Sequence, residues 1–216
     1  MSDRGLFLVL EGVEGVGKST QARMLADWLG SLHIPHQLSR EPGGTPVGEA
    51  IRHVLLDSGS LEVPDETELL LMLAARAAFV RKLVLPTLDR GQIMISDRFE
   101  LSTLAYQGAA RGLGIEAIQP LNRFATGGLR PDLTIVFDLP VSEGSDRQLR
   151  SGKGRDRIEG EGARFLEAVR EAYLQFAGAD TSIVVLDAAP PAAEVHEAVR
   201  QVLHSRFPEP FRTARG

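Results

Sequence analysis

The sequence predicts an α/β fold, a five-stranded parallel sheet with helices on both faces, built as a single domain over residues 1–207. Three observations point there. Four short apolar runs (Leu6 to Leu10, Ile93 to Asp97, Leu133 to Phe137, Ser182 to Leu186) and a weaker one at His36 to Ser39 have the length of strands. Segments with apolar residues at helical spacing separate them, and strands that alternate with helices assemble into a parallel sheet. The first strand passes into the first helix through one glycine-rich stretch, Gly12 to Ser19.

That stretch reads Gly12-Val13-Glu14-Gly15-Val16-Gly17-Lys18-Ser19 and fits G-x-x-x-x-G-K-[ST], a phosphate-binding loop. The buried strand before it and the helix from Ser19 to Leu32 after it supply the context that the motif requires. Glycines allow successive backbone N–H groups to face one concavity, and the helix N-terminus adds positive potential there. Lys18 brings a point charge to the outer phosphates, and Ser19 offers a hydroxyl to Mg2+. A glycine-rich turn that binds nothing is the alternative, but strand, loop and helix agree against it.

Length and composition narrow the class. A chain of 216 residues readily buries one core. Hydrophobic and charged contents of 43% and 25% are those of a soluble globular protein. A net charge of -5 argues against nucleic acid as a partner of the whole surface. The absence of cysteine excludes a disulfide framework and fits a reducing compartment. Leu6 to Leu10 is too short for a secretory apolar core, and no apolar run approaches the ~20 residues that span a bilayer. Cytoplasmic location and no membrane partner are therefore expected. Arginine outnumbers lysine 21 to 3; base composition accounts for most of that bias, so only the positions of individual arginines carry weight.

The weak second strand ends in the turn-rich segment Arg40 to Thr45, and Gly48 to Leu56, carrying Arg52, reads as a helix. Residues just past strand C-termini face the ligand crevice of an open α/β sheet. Arg40 is placed that way, with an exposed loop arginine as the equal alternative. Asp65 to Leu88 reads as a long, largely buried helix with Asp65 as N-cap and Glu68 completing a capping box. Arg76 interrupts its apolar face. A buried arginine needs an anion, so ligand contact is preferred over an internal salt bridge. The third strand ends at Asp97, the position of an acid that assists Mg2+ in phosphate-loop enzymes. Arg98 follows directly; Asp97 and Arg98 either pair with each other or serve metal and phosphate. Leu101 to Ala110 reads as a helix containing Thr103, Tyr106 and Gln107. A further helix runs to Ala125, and the fourth strand ends at Asp138.

Arg147, Arg150, Lys153, Arg155 and Arg157 fall in eleven residues with Gly152 and Gly154 among them. The segment is either a solvated loop or a hinged basic lid, about 147–157, that closes over a polyanion and excludes water. Helices from Glu161 to Phe176 and Ala192 to Phe207 flank the fifth strand. The tail 208–216 lacks periodicity and is expected to fray.

Several motifs taken together resemble the bacterial thymidylate kinase family. They are Glu11 to Thr20, Arg40-Glu41-Pro42-Gly43-Gly44-Thr45, Ala74-Ala75-Arg76, Asp97-Arg98-Phe99, Tyr106-Gln107-Gly108, Arg130-Pro131-Asp132-Leu133 and Asp156-Arg157-Ile158-Glu159. They run in family order from about Leu6 to Ala189. The resemblance implies transfer of the γ-phosphoryl group of ATP to dTMP with Mg2+, in dTTP synthesis, by a homodimer. By position, Gly12, Val13, Glu14, Gly15, Val16, Gly17, Lys18, Ser19 and Thr20 should hold ATP. Lys18 and Arg98 should serve catalysis, and Ser19 and Asp97 the metal. Arg98 and Arg52 match a clamp on the acceptor phosphate, with Arg40 nearby. Arg76, Gln107 and Thr103 match contacts to thymine, and Glu14 and Glu159 match acids near the sugar or metal. No variable loop position is basic, which implies that the catalytic arginine is in the lid, Arg155 or Arg150. Where the family commonly stacks a phenylalanine on thymine, this chain has Met72, whose sulfur still packs on an aromatic face.

A guanine switch would carry an Asn-Lys-x-Asp motif, and the chain has no Asn-Lys pair. The alternatives to a dTMP kinase are a kinase for another nucleoside monophosphate, and a phosphate-loop ATPase or switch without a small acceptor.

Overall fold

A computed structural model describes residues 4–57, 62–150, 161–209 and Phe211. Five strands form one parallel sheet in the order β2-β3-β1-β4-β5: β1 Phe7–Glu11, β2 His36–Arg40, β3 Ile93–Asp97, β4 Leu133–Asp138 and β5 Ile183–Asp187. The registers place Leu10 opposite Asp97 on β3 and opposite Ile135 on β4. β1 is buried along its whole length, as expected of a central parallel strand covered on both faces. Chain order reverses beside it, since β2 and β3 lie on one side and β4 and β5 on the other. That reversal opens a crevice at the strand C-termini.

The helices are α1 Lys18–Ser31, α2 Pro46–Arg52, α3 Asp65–Phe79, α4 Leu85–Asp89, α5 Glu100–Thr103, α6 Ile115–Thr126, α7 Val141–Arg150, α8 Ala163–Ala179 and α9 Ala192–Arg206. Leu25 and Leu29 of α1, Val169 and Tyr173 of α8, and Val199 and Leu203 of α9 join Leu8 and Leu10 in the larger core. Phe7, Val9, Phe79, Val84 and Phe99 form a smaller core on the other face of β1. No helix among the described residues is long and apolar enough to cross a membrane.

Several expectations shift. The helix read from Asp65 to Leu88 runs through α3, a wider π-type turn at Val80–Val84, and α4. Pro86 follows that turn and has no N–H to continue an α-helical ladder. Pro64, not Asp65, is the N-cap of α3, and no side chain caps it. Glu68 is fully buried instead of closing a capping box. The basic segment begins on helix: Arg147 and Arg150 occupy the last turns of α7. Within the expected tail, Phe211 is fully buried and stacks on Trp28 with ring centroids 5.3 Å apart.

Candidate active site

The phosphate loop leaves β1 at Glu11 and enters α1 at Lys18. Gly12, Gly15 and Gly17 take φ values of 138°, 78° and 95°. At Gly15 a Cβ would also lie 2.0 Å from the Gly144 carbonyl oxygen, so the loop and α7 approach backbone to backbone. Val13 and Val16 turn into the core, which leaves their peptide groups, not their side chains, to face an anion. The first helical bonds run from the Thr20 and Gln21 N–H groups to the Gly17 carbonyl, 3.0 Å each. The N–H groups ahead of them have no place in the helical ladder and are available to phosphate oxygens.

Lys18 is buried and donates to the carbonyls of Gly12 (2.9 Å) and Val13 (2.7 Å). Burial, reinforced by Arg98, pushes its ammonium down to about 8. Ser19 donates to Asp97 at 2.7 Å. A hydroxyl and a single carboxylate, open to the crevice, fit Mg2+, which keeps several waters and takes its remaining oxygens from substrate phosphates. Asp97 therefore faces the loop and does not pair with Arg98.

Arg98 sits at φ 75°, a conformation costly for a side-chain-bearing residue. Its N–H donates to Leu10 (2.9 Å), and its carbonyl accepts from the Ser96 hydroxyl (2.6 Å). Below it Glu11, fully buried, accepts from the Phe99 N–H (2.9 Å), the Ser102 hydroxyl (2.6 Å) and the Tyr173 hydroxyl (2.8 Å). So braced, the Arg98 guanidinium donates to Glu14 (2.5 Å), Ser102 (3.1 Å) and Tyr106 (3.1 Å), and stands 4.9 Å from the Tyr106 ring centroid. Burial works against the charges of both Glu14 and Arg98. Even so, Arg98 and Lys18 hold Glu14 below its ordinary range, and the Glu14 carboxylate helps hold Arg98 above its own. Burial pushes the Tyr106 and Tyr173 hydroxyls well up, so both remain protonated.

Glu14, Lys18, Ser19, Asp97, Arg98, Ser102 and Tyr106 line one cavity of about 360 Å³, within the range of small-molecule sites. The loop forms one wall, through Glu14, Gly15, Gly17, Lys18, Ser19 and Thr20. Met72, Arg76, Thr103, Tyr106 and Gln107 lie on the same surface, with Arg40, Arg52 and Arg98 among them. Seven basic side chains and three acidic ones face this space in a chain of net charge -5, so positive charge is concentrated where anions would enter. Arg40 pairs with Glu49 at 3.1 Å, and Arg52 donates to the Pro42 carbonyl at 3.1 Å.

Arg76 departs from expectation. Its Nε donates to Glu41 (2.8 Å), Nη1 to Thr103 (2.8 Å) and Asn122 (2.6 Å), and Nη2 to the Phe99 carbonyl (3.0 Å). The internal salt bridge, ranked below ligand contact from sequence, is present in a side chain that also lines the cavity. Burial pushes the Glu41 carboxyl up to about 7 against the pull of Arg76.

Of the basic cluster, Arg147 lines the cavity and donates to the carbonyls of Ala188 (2.8 Å) and Ala189 (2.9 Å). Arg150 is exposed and donates to Asp146 of its own helix. Arg155 and Glu159, with the rest of the expected lid, lie outside the described residues.

Sequence reasoning assigned no role to Glu11, Tyr173, Ser102, Glu41, Asn122 or Arg111, and gave Glu68 only a place in a helix cap. An acid ending the first apolar strand and another inside a buried helix were the available signals for Glu11 and Glu68.

The family model described as thymidylate kinase matches residues 10–199. A thymidylate kinase from Pseudomonas fluorescens (strain SBW25) is 50% identical over 201 residues, covering 92% of this chain and 95% of that protein. One from Desulforudis audaxviator (strain MP104C) is 46% identical over 208 residues, covering 94% and 93%. The crystal structure of thymidylate kinase from Ehrlichia chaffeensis superposes with a TM-score of 0.75 at 29% identity, covering 93% of this chain and 99% of that one.

Proposed function

The chain belongs to the thymidylate kinase family, and on that premise we propose that its crevice transfers the γ-phosphoryl group of ATP to dTMP, giving dTDP and ADP. The observation that carries this reading is the composition of one cavity, with a phosphate loop on one wall and Arg98, Arg52 and Arg40 around the same space. Two anions that repel each other can be held face to face only where cations surround both.

In this reading the loop N–H groups and Lys18 hold the ATP phosphates. To reach them, the Lys18 ammonium leaves the Gly12 and Val13 carbonyls, so its charge is engaged only when ligand arrives. The acceptor phosphate takes Arg98 and Arg52. A phosphate monoester has its second pKa near 6, so at neutral pH the attacking oxygen carries no proton and no general base is needed. Catalysis then consists of alignment and charge stabilisation. Mg2+, held by Ser19 and Asp97 together with the phosphates, supplies further neutralisation of charge on the transferring group. Glu14, kept ionised beside Arg98, suits a sugar hydroxyl. Met72, Thr103 and Gln107 suit the thymine ring. Arg147 of α7 lines the cavity and suits the ATP phosphates, and the resemblance leaves the catalytic arginine to Arg150 or Arg155.

A homodimer is supported by exposed apolar side chains on neighbouring helices, Leu70 of α3 (59% exposed) and Phe124 of α6 (84% exposed). The absence of cysteine fits a cytoplasmic location. A panel of nucleoside monophosphates with ATP and Mg2+ tests the reading. Turnover should be fastest on dTMP. Faster turnover on dUMP, dCMP or dGMP would reassign the acceptor, and phosphate release indifferent to any acceptor would favour an ATPase.

A further inference from the structure

Gln107 lines the cavity but is 2% exposed, so its amide meets a ligand with one edge only. Behind it lies Glu68, fully buried, whose Oε1 accepts from Gln107 Nε2 at 2.7 Å. Arg111 grips the same carboxylate with two N–H groups, Nε to Oε1 at 2.8 Å and Nη2 to Oε2 at 3.1 Å. Arg111 is itself held by Asp65 at 3.3 Å and Glu161 at 2.9 Å, and lies 5.2 Å from the Phe165 ring centroid.

The chemistry of this chain of contacts fixes an orientation. An ionised carboxylate only accepts hydrogen bonds, and a carboxylate gripped by a guanidinium stays ionised. The edge of Gln107 that faces Glu68 must therefore be its NH2. The edge left for the cavity is then the carbonyl oxygen, an acceptor. We propose that Glu68 is a positioning residue for base selection: by pinning the Gln107 amide, it presents an acceptor to the ring N–H of thymine and opposes cytosine, whose corresponding nitrogen is itself an acceptor. The proposal rests on the dTMP kinase reading. Glu68 does not touch the substrate and acts through Gln107, while Arg111 keeps the buried charge in place.

The test is steady-state kinetics of Glu68→Gln on dTMP and dCMP. A neutral amide presents one donor edge, toward either Arg111 or Gln107, so the Gln107 orientation is no longer dictated. The KM for dTMP should rise up to about tenfold and the preference for dTMP over dCMP should fall about tenfold, the scale of one neutral hydrogen bond and of the unpaired acceptor it opposes. The kcat for dTMP should stay within about threefold. In a Gln107→Ala background the same change should shift neither KM nor preference further, which a merely structural role would not produce. Glu68→Asp keeps the charge for Arg111 but retracts the acceptor, and should give a smaller loss of the same kind. It carries the test should Glu68→Gln fail to fold. Unchanged KM and preference in a folded Glu68 variant, or an equal loss in the Gln107→Ala background, would overturn the proposal. Wild-type protein inactive on dTMP would instead overturn the kinase reading beneath it.

Discussion

Replacing Lys18 by Met should abolish catalysis and change how stability depends on pH, and the two effects can be measured separately. The lysine titrates at 10.5 in an exposed chain and at about 8 in its buried place across the phosphate loop. Between those values the unfolded state holds the extra proton, so wild-type stability should rise with pH relative to a variant without the amine. Below about pH 8 both states are protonated and the difference between the proteins is constant. Above it the wild type gains, up to about 3 kcal/mol for the whole shift, most of it by about pH 10. Other groups that titrate there are common to both proteins and cancel in the difference. Urea melts of both proteins at a series of pH values measure it. A difference that stays flat from pH 7 to 10, or one that moves against the wild type, would refute the claim that the ammonium is held desolvated by the loop. In the kinase assay, loss of the ammonium charge beside the phosphates should lower kcat by about 10³-fold or more.

The same structure yields other expectations. Arg98→Ala should lower kcat/KM for dTMP by about 10²- to 10³-fold, since it removes a cation from the transferring phosphates, while titration calorimetry shows ATP still binding. Excess EDTA should stop turnover and Mg2+ restore it, and Asp97→Asn should shift the Mg2+ midpoint upward about tenfold; an unmoved midpoint would remove Asp97 from the metal site. Phe211→Ala should cost about 3–5 kcal/mol, because a fully buried ring stacked on Trp28 is lost. Its kcat at 25 °C should be unchanged, with denaturant melts reporting the loss.

Four strands were legible because each is a short apolar run, β2 (His36-Gln37-Leu38-Ser39-Arg40) only weakly so, and the phosphate loop because its glycines, lysine and serine must stand at fixed spacing. Residues next to strand ends were legible for the same reason: Asp97 and Arg98 reach the crevice through the position of β3. Strand order is set by packing between distant segments, and no local pattern encodes it. The braces under the site were hidden likewise. Glu11 and Tyr173 are 162 residues apart in sequence and 2.8 Å apart in space. Arg76 shows how a correct premise can miss its partner. A buried arginine does need an anion, but Glu41, 35 residues upstream, supplies it, and nothing local favours that pairing over a ligand. Phe211 sits in a segment without periodicity, so burial of a single ring left no repeating signal.

The central claim is that one crevice holds two nucleotides with their phosphates facing. Crystals grown with a non-hydrolysable ATP analogue, dTMP and Mg2+ test it most directly. The claim predicts the triphosphate on the Gly12–Ser19 loop and the dTMP phosphate against Arg98, with an acceptor oxygen in line with the terminal phosphorus at about 3–3.5 Å. Density for dTMP outside the cavity, or with its phosphate turned away from the loop, would contradict it.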